Sequence, residues 1–128
     1  MNREIKFRGL RIDNGLWIYW YYVKDPQGNH RIYHQPFAEA SSNTYHFVKP
    51  ITVGQFTGLK DSKGKEIYEG DVVNTITDKP MVIGWSKQFA SFTIERSGWA
   101  FEHFFGEAME GNECEVIGNV FQHPELLK

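Results

Sequence analysis

Turn signals interrupt this chain so often that no long helix fits between them. Asp13-Asn14-Gly15, Asp25-Pro26-Gln27-Gly28, Pro36, the polar stretch 38–44, Pro50, Asp61 to Gly64, Glu69-Gly70-Asp71 and Asp78-Lys79-Pro80 recur roughly every 8–12 residues, with short apolar runs between. Asn, Asp and Gly suit such positions because they tolerate positive φ or bond their own backbone. Residues 3–12, REIKFRGLRI, alternate with period two. Ile5, Phe7 and Gly9 face one way there, and Lys6 and Arg8 the other. LWIYWYYVK follows the turn at 13–15, which predicts a hairpin over 3–23. HRIYHQPF reads as a short strand stopped by Pro36, 38–44 as a polar loop, and YHFVKP as a strand ended by Pro50. TVGQFTGL is a short strand or a turn of helix. A turn at 60–65 leads into a strand at 66–68, and VVNTIT, MVIGWS and SFTIERS are further strands, with KQFA between the last two. Residues 97–112 break the pattern as a loop or short helix. CEVIGNVFQ is a closing strand, and HPELL a helical turn with its proline near the first position.

About nine strands with turns at this spacing predict an all-β barrel or sandwich. The aromatic content, 16%, agrees, since rings fit a pleated, half-buried surface. A chain of 128 residues suits one domain, and 50–54 is the only plausible internal boundary.

No apolar run approaches 18 residues, and MNREIKFRG lacks the apolar stretch of a secretory signal. Cys114 is the only cysteine, so an internal disulfide or a Cys-rich zinc site is excluded. The expectation is a protein of a reducing cytoplasm, away from membranes. The net charge of −2 argues against a strong polyanion binder. Residues 1–50 carry seven Lys/Arg against four Asp/Glu, a net of +3. Residues 51–128 carry seven against twelve, a net of −5. Any basic face therefore belongs to the first half.

The stretch QFTGLKDSKGKEIYEGDVV, residues 55–73, places lysines near Gly58 and Gly64. A phosphate-binding loop needs G-x-x-x-x-G-K-[ST] opening a helix. Here five residues separate Gly58 from Gly64, Glu66 follows Lys65, and a strand comes next. The stronger reading is structural. Gly58, Gly64 and Gly70 turn the chain, and Asp71 accepts backbone N–H bonds. Glu66, Glu69 and Asp71 are a carboxylate cluster whose side chains are expected to meet solvent rather than do acid–base work. His30 and His34 share a strand face about 13 Å apart, too far for one metal ion, and read as exposed surface histidines. Cys114 lies between two glutamates, which oppose thiolate formation, and reads as a small core residue. No catalytic, metal or cofactor site is expected.

The aromatic, basic first half is the functional lead. Tyr19, Trp20, Tyr21 and Tyr22 are consecutive, with Arg3, Lys6, Arg8, Arg11, Lys24 and Arg31 on the flanking strands. Arg8, Trp17, Trp20, Tyr22 and Arg31 are the expected exposed contact surface. Such a surface suits a protein partner or self-association, with single-stranded nucleic acid as the alternative. Glu102 to Glu125 holds six glutamates with only Lys128 opposing, a solvated face or one that meets the basic half of a neighbouring copy.

REIKFRG at the start, QFTGLKDSKGKEIYEGDVV in the middle and EVIGNVFQHPELL at the end occur in that order and spacing in the YopX family, which this chain resembles over essentially its whole length. The resemblance implies a mostly β fold, with an N-terminal β region over 1–52 and a small SH3-like barrel over 53–128. It implies a phage or prophage origin in a bacterial host, and brings no catalytic residues and no cofactor. Relatives often carry glycine where Trp20 stands, which marks Trp20 as a partner contact or an extra core filler. The function that follows is a non-enzymatic binding or accessory module, acting through its own oligomer or a phage or host protein.

Overall fold

The turn residues act as their chemistry dictates. Asn14 Oδ1 accepts the Leu16 N–H at 2.9 Å, and Gly15 takes φ +70°. This turn joins strand β1 (Phe7–Leu10) to β2 (Trp17–Lys24). The two pair antiparallel, with Phe7 opposite Trp20 and Leu10 opposite Trp17. Asp25 Oδ1 accepts N–H bonds from Gln27 and Asn29, Gly28 supplies positive φ, and the chain returns as β3 (His30–Tyr33). Strand β4 (Tyr45–Phe47) pairs with β3. A 3-10 turn over Pro50–Thr52 then leads into β5 (Gly54–Lys60).

The structure, a computed structural model, describes residues 4–34, 45–75, 79–96, 103–106 and 113–127. Ten strands lie among them. The later five are β6 (Glu66–Tyr68), β7 (Asp71–Thr75), β8 (Met81–Ser86), β9 (Ser91–Glu95) and β10 (Cys114–Asn119). A 3-10 turn over Pro124–Leu127 follows them. The fold is all-β, in two antiparallel sheets ordered β4-β3-β2-β1-β5-β6 and β10-β7-β8-β9. Contacts divide the chain into two compact units, Met1–Phe56 and Thr57–Lys128.

The first unit holds β1 to β4 and the start of β5, where Gln55 lies opposite Phe7. After β4 the chain bridges back to β1, with Val48 opposite Arg11 and the Lys49 N–H donating to Leu10 at 2.9 Å. The core is small: Ile18, Ile32 and Val48, with Tyr22 and Val53 packed against them. Gly9 lets the chain pass this core, since a Cβ there would lie 2.9 Å from Val48 Cβ.

The second unit packs a larger aliphatic core of Ile67, Val73, Met81, Ile83, Ile94, Phe105 and Cys114. In β8 Met81 and Ile83 are buried, and Trp85, two residues further on, is exposed. Asp61 organises this unit. Its carboxylate accepts backbone N–H bonds from Lys63, Lys65 and Val116 at 2.8 to 2.9 Å. Burial would push its pKa up, but these bonds outweigh burial and hold it below the usual value. Gly64 closes the same turn at φ +83°, its N–H on the Asp61 carbonyl. Asp71 is buried and accepts the Tyr68 N–H at 2.8 Å, and Gly70 takes φ +89° beside it.

Three expectations need correction. Lys6 and Arg8 do not face solvent: they are 8% and 5% exposed, while Ile5 is 41% exposed. Gly58 is not at a turn but inside β5, where it takes a φ of +89°. Asp71 does not meet solvent with the other carboxylates of its cluster, because its backbone bond draws it inward. The loop expected at 38–44 and most of 97–112 lie outside the described residues.

Candidate functional site

Strand pairing decides which aromatic side chains share a face. Antiparallel partners lie side by side on one face, and alternate residues of a strand repeat it. Tyr21 pairs with Tyr33 and Tyr33 with Tyr45, giving a row of three tyrosines across β2, β3 and β4. The next row is Val23, Arg31 and Phe47. Across to β1, Tyr19 pairs with Arg8 and Trp17 with Leu10 on the same face. Tyr19, Tyr21 and Val23 are each 38% exposed and Phe47 is 42% exposed. The rings touch. Tyr33 and Tyr45 stand 5.2 Å apart, and Phe47 meets Tyr45 edge-on at 5.7 Å.

The cations of this face are already engaged. The Arg31 guanidinium lies 4.7 Å from the Tyr45 ring centroid and 5.2 Å from that of Phe47. Its Nη2 and Nε both donate to Asp25 Oδ2, at 2.7 and 3.0 Å. Arg8 lies 4.2 Å from the Trp17 ring centroid, and Lys6 Nζ 4.6 Å from that of Trp20. The long apolar stems of Lys and Arg cover ring surface, and the ring quadrupole attracts the charge. What the face offers a partner is therefore rings and hydroxyls.

Of the five residues expected on a contact surface, the structure brings Trp17, Trp20 and Arg31 to this face, each half-buried. Arg8 is on the face but buried beneath Trp17, so it is not an exposed contact. Tyr22 is on the opposite side. It packs against the core, stacks on His30 at 5.7 Å, and its hydroxyl lies 2.6 Å from His30 Nδ1. Burial pushes its pKa up. Tyr33, Tyr45, Phe47 and Val23 are the members that sequence reasoning missed. Only the register, with Tyr21 against Tyr33 and Tyr45, reveals them.

The histidines are half-buried rather than exposed. His34 and His46 stack at 5.8 Å with planes 8° apart. Burial, then the Arg11 charge and His34, lower the His46 pKa, against the opposing pull of Asp13. Tyr45 and Phe47 border a cleft of about 460 Å³ shared with Ile12, Asp13, Asn29 and His46. Among the described residues no group of three or more His, Cys, Asp or Glu could hold a metal ion.

The second unit offers less. Trp85 and Phe89 are exposed, but each is met edge-on by one ring, Phe92 and Phe104 respectively. A cleft of about 560 Å³ runs between Pro80, Val82 and Leu126, with Lys79, Glu95 and Arg96 at its rim. The Cys114 thiol is buried, and burial first, then Asp61 and Glu113, push its pKa up to about 11.

Among the described residues no helix is long and apolar enough to cross a membrane. No curated protein matches the chain. The crystal structure of protein EF1440 from Enterococcus faecalis is similar to it, with a TM-score of 0.64 and 22% sequence identity. The likeness covers 99% of this chain and 100% of that one, and it supports the fold alone. The family model described as YopX protein matches residues 6–128, nearly the whole sequence, and the chain belongs to the YopX family.

Proposed function

We propose that this protein is a non-enzymatic binding module of phage or prophage type that associates with a second copy of itself through the aromatic face of its first unit. The observation that carries the reading is the pair of cross-strand rows, Tyr21–Tyr33–Tyr45 and Val23–Arg31–Phe47. Contiguous rings on a sheet face, here with Tyr21 and Phe47 exposed and Tyr33 and Tyr45 half-buried, are enriched at protein contacts. The charge split supports a second copy as the occupant. The first unit has a net charge of +3 and the second a net of −5, so each copy carries the complement of the other. The non-enzymatic part of the reading rests on side chains already spent. Asp61 and Asp71 hold backbone N–H groups, and the one thiol is buried at a raised pKa. The second unit enters as the small SH3-like barrel that the resemblance implies, and the host cytoplasm as its setting.

Sedimentation equilibrium tests this. Wild type is expected to associate reversibly, more weakly as salt rises, and a Tyr21→Ser/Phe47→Ser double variant to stay monomeric. A wild-type protein that is monomeric at every concentration removes the reading. One observation favours a second reading, single-stranded nucleic acid: rings lie beside planar guanidinium groups, an arrangement on which bases stack. Engagement of those cations within the protein weighs against it, since phosphates need cations to contact. Tryptophan fluorescence titrated with single-stranded DNA and RNA separates the two. Saturable quenching that weakens with salt would place nucleic acid ahead.

A further inference from the structure

Trp20 stands at φ +118° inside an eight-residue strand. A Cβ makes that region of backbone space strained, and only glycine enters it freely. The place has a structural cause. β2 pairs with β1 through Trp17–Trp20 and with β3 through Tyr21–Lys24. The strand changes partners between residues 20 and 21, and bends of this kind in curved sheets are made by glycine or a bulge. A glycine would make this corner without strain. Tryptophan makes the same corner and adds an indole.

The unusual φ also redirects that indole. Neighbouring residues of a regular strand point to opposite faces, yet the Trp20 and Tyr21 rings lie 5.8 Å apart. Lys6 Nζ, held 3.4 Å from Glu4, sits 4.6 Å from the indole centroid. The ring thus joins the face that carries Tyr19 and Tyr21, while the apolar cluster behind the sheet is built on Ile18, Ile32 and Val48. Strained residues persist where the surrounding structure holds them, and they gather at sites of function. Trp and Tyr are also the side chains that most often anchor protein contacts.

We infer that Trp20 is the anchor of the self-association face, a tryptophan kept in a glycine conformation because its indole makes the contact. This rests on the reading that the face binds a second copy.

The test compares wild type, Trp20→Gly, Trp20→Ala and Tyr21→Ser. Association is measured by sedimentation equilibrium. Thermal unfolding is measured at a concentration where every protein is monomeric. Trp20→Gly is expected to unfold at the same temperature as wild type or higher, with a Kd for self-association raised at least tenfold. Trp20→Ala is expected to lose association equally and to unfold below Trp20→Gly, because its Cβ keeps the strain. A Trp20→Gly protein that unfolds several degrees earlier overturns the inference, for the indole is then packing. If Tyr21→Ser loses association and Trp20→Gly keeps it, the face stands and the anchor falls. Wild type that never associates overturns both.

Discussion

The two units solve the same folding problem with different side chains. The second buries seven core residues, mostly aliphatic, and ties its turns down with two buried carboxylates, Asp61 and Asp71. The core cluster of the first is three aliphatic residues, Ile18, Ile32 and Val48, and its row Tyr21–Tyr33–Tyr45, with Tyr19 and Phe47, lies on the other face of the sheet. Burying a ring removes far more apolar surface from water than burying a methyl group. A unit that leaves Tyr19, Tyr21 and Phe47 in solvent has forgone stability it had at hand. The contrast teaches that aromatic content alone does not measure core size. In the first unit Tyr19, Tyr21 and Phe47 serve the surface, while Tyr22 packs onto a thin core and Phe56 is buried.

Truncating each core tests the contrast most strongly. Ile32→Ala and Ile83→Ala each remove a fully buried side chain and should each cost about 2–5 kcal/mol. With the smaller core cluster, three residues against seven, the first unit should open alone in Ile32→Ala. Native-state hydrogen exchange would then show amides of β1 to β3 losing protection while those of β7 to β10 keep theirs. Equal loss in both units would break the distinction.

Next in size is Asp61→Asn, which weakens the acceptor of three backbone N–H groups and should cost about 1.5–3 kcal/mol near neutral pH. The folded-state pKa of Asp61 lies below its ordinary 3.8. Its contribution is therefore complete above that value and is lost as pH falls through the folded-state pKa. Wild type should lose stability below about pH 4, and chemical denaturation should find that acid slope reduced in Asp61→Asn.

A smaller effect is expected from Gly9→Ala, where the new Cβ meets Val48 at 2.9 Å. Overpacking of this kind costs about 1–3 kcal/mol, readable as a lowered Tm. Smallest is Tyr21→Ser, an exposed site, which should change monomer stability by no more than about 0.5 kcal/mol while removing association. A large loss of monomer stability would mean that the tyrosine rows belong to the core.

Much of the fold was legible because turns are local chemistry. Asp13 to Gly15, Asp25 to Gly28 and Asp61 to Gly64 all form where their residues direct, and the strands fall between them. The face was less legible. In Trp17 to Val23 every side chain is apolar or aromatic, so period two carries no contrast to say which half points inward. The sequence alone therefore puts Tyr22 outside, whereas its pairing with the buried Ile32 sets it on the core side. Charge predicts exposure for Lys6 and Arg8, while long stems lying against rings permit their burial. Gly58 reads as a turn residue because glycine marks turns in general, and a positive φ inside a strand calls for the same residue. The positive φ of Trp20 has no signal in the residue itself. It arises where β2 changes partners, which only the sheet defines.

The most direct measurement is hydroxyl-radical footprinting of the pure protein over a range of concentrations, read at individual side chains by mass spectrometry. Tyr19, Tyr21 and Phe47 are expected to become protected as concentration rises, and to lose that protection in Trp20→Gly. If their reactivity stays constant across the range in wild type, the outward aromatic face of the first unit is not a self-association surface.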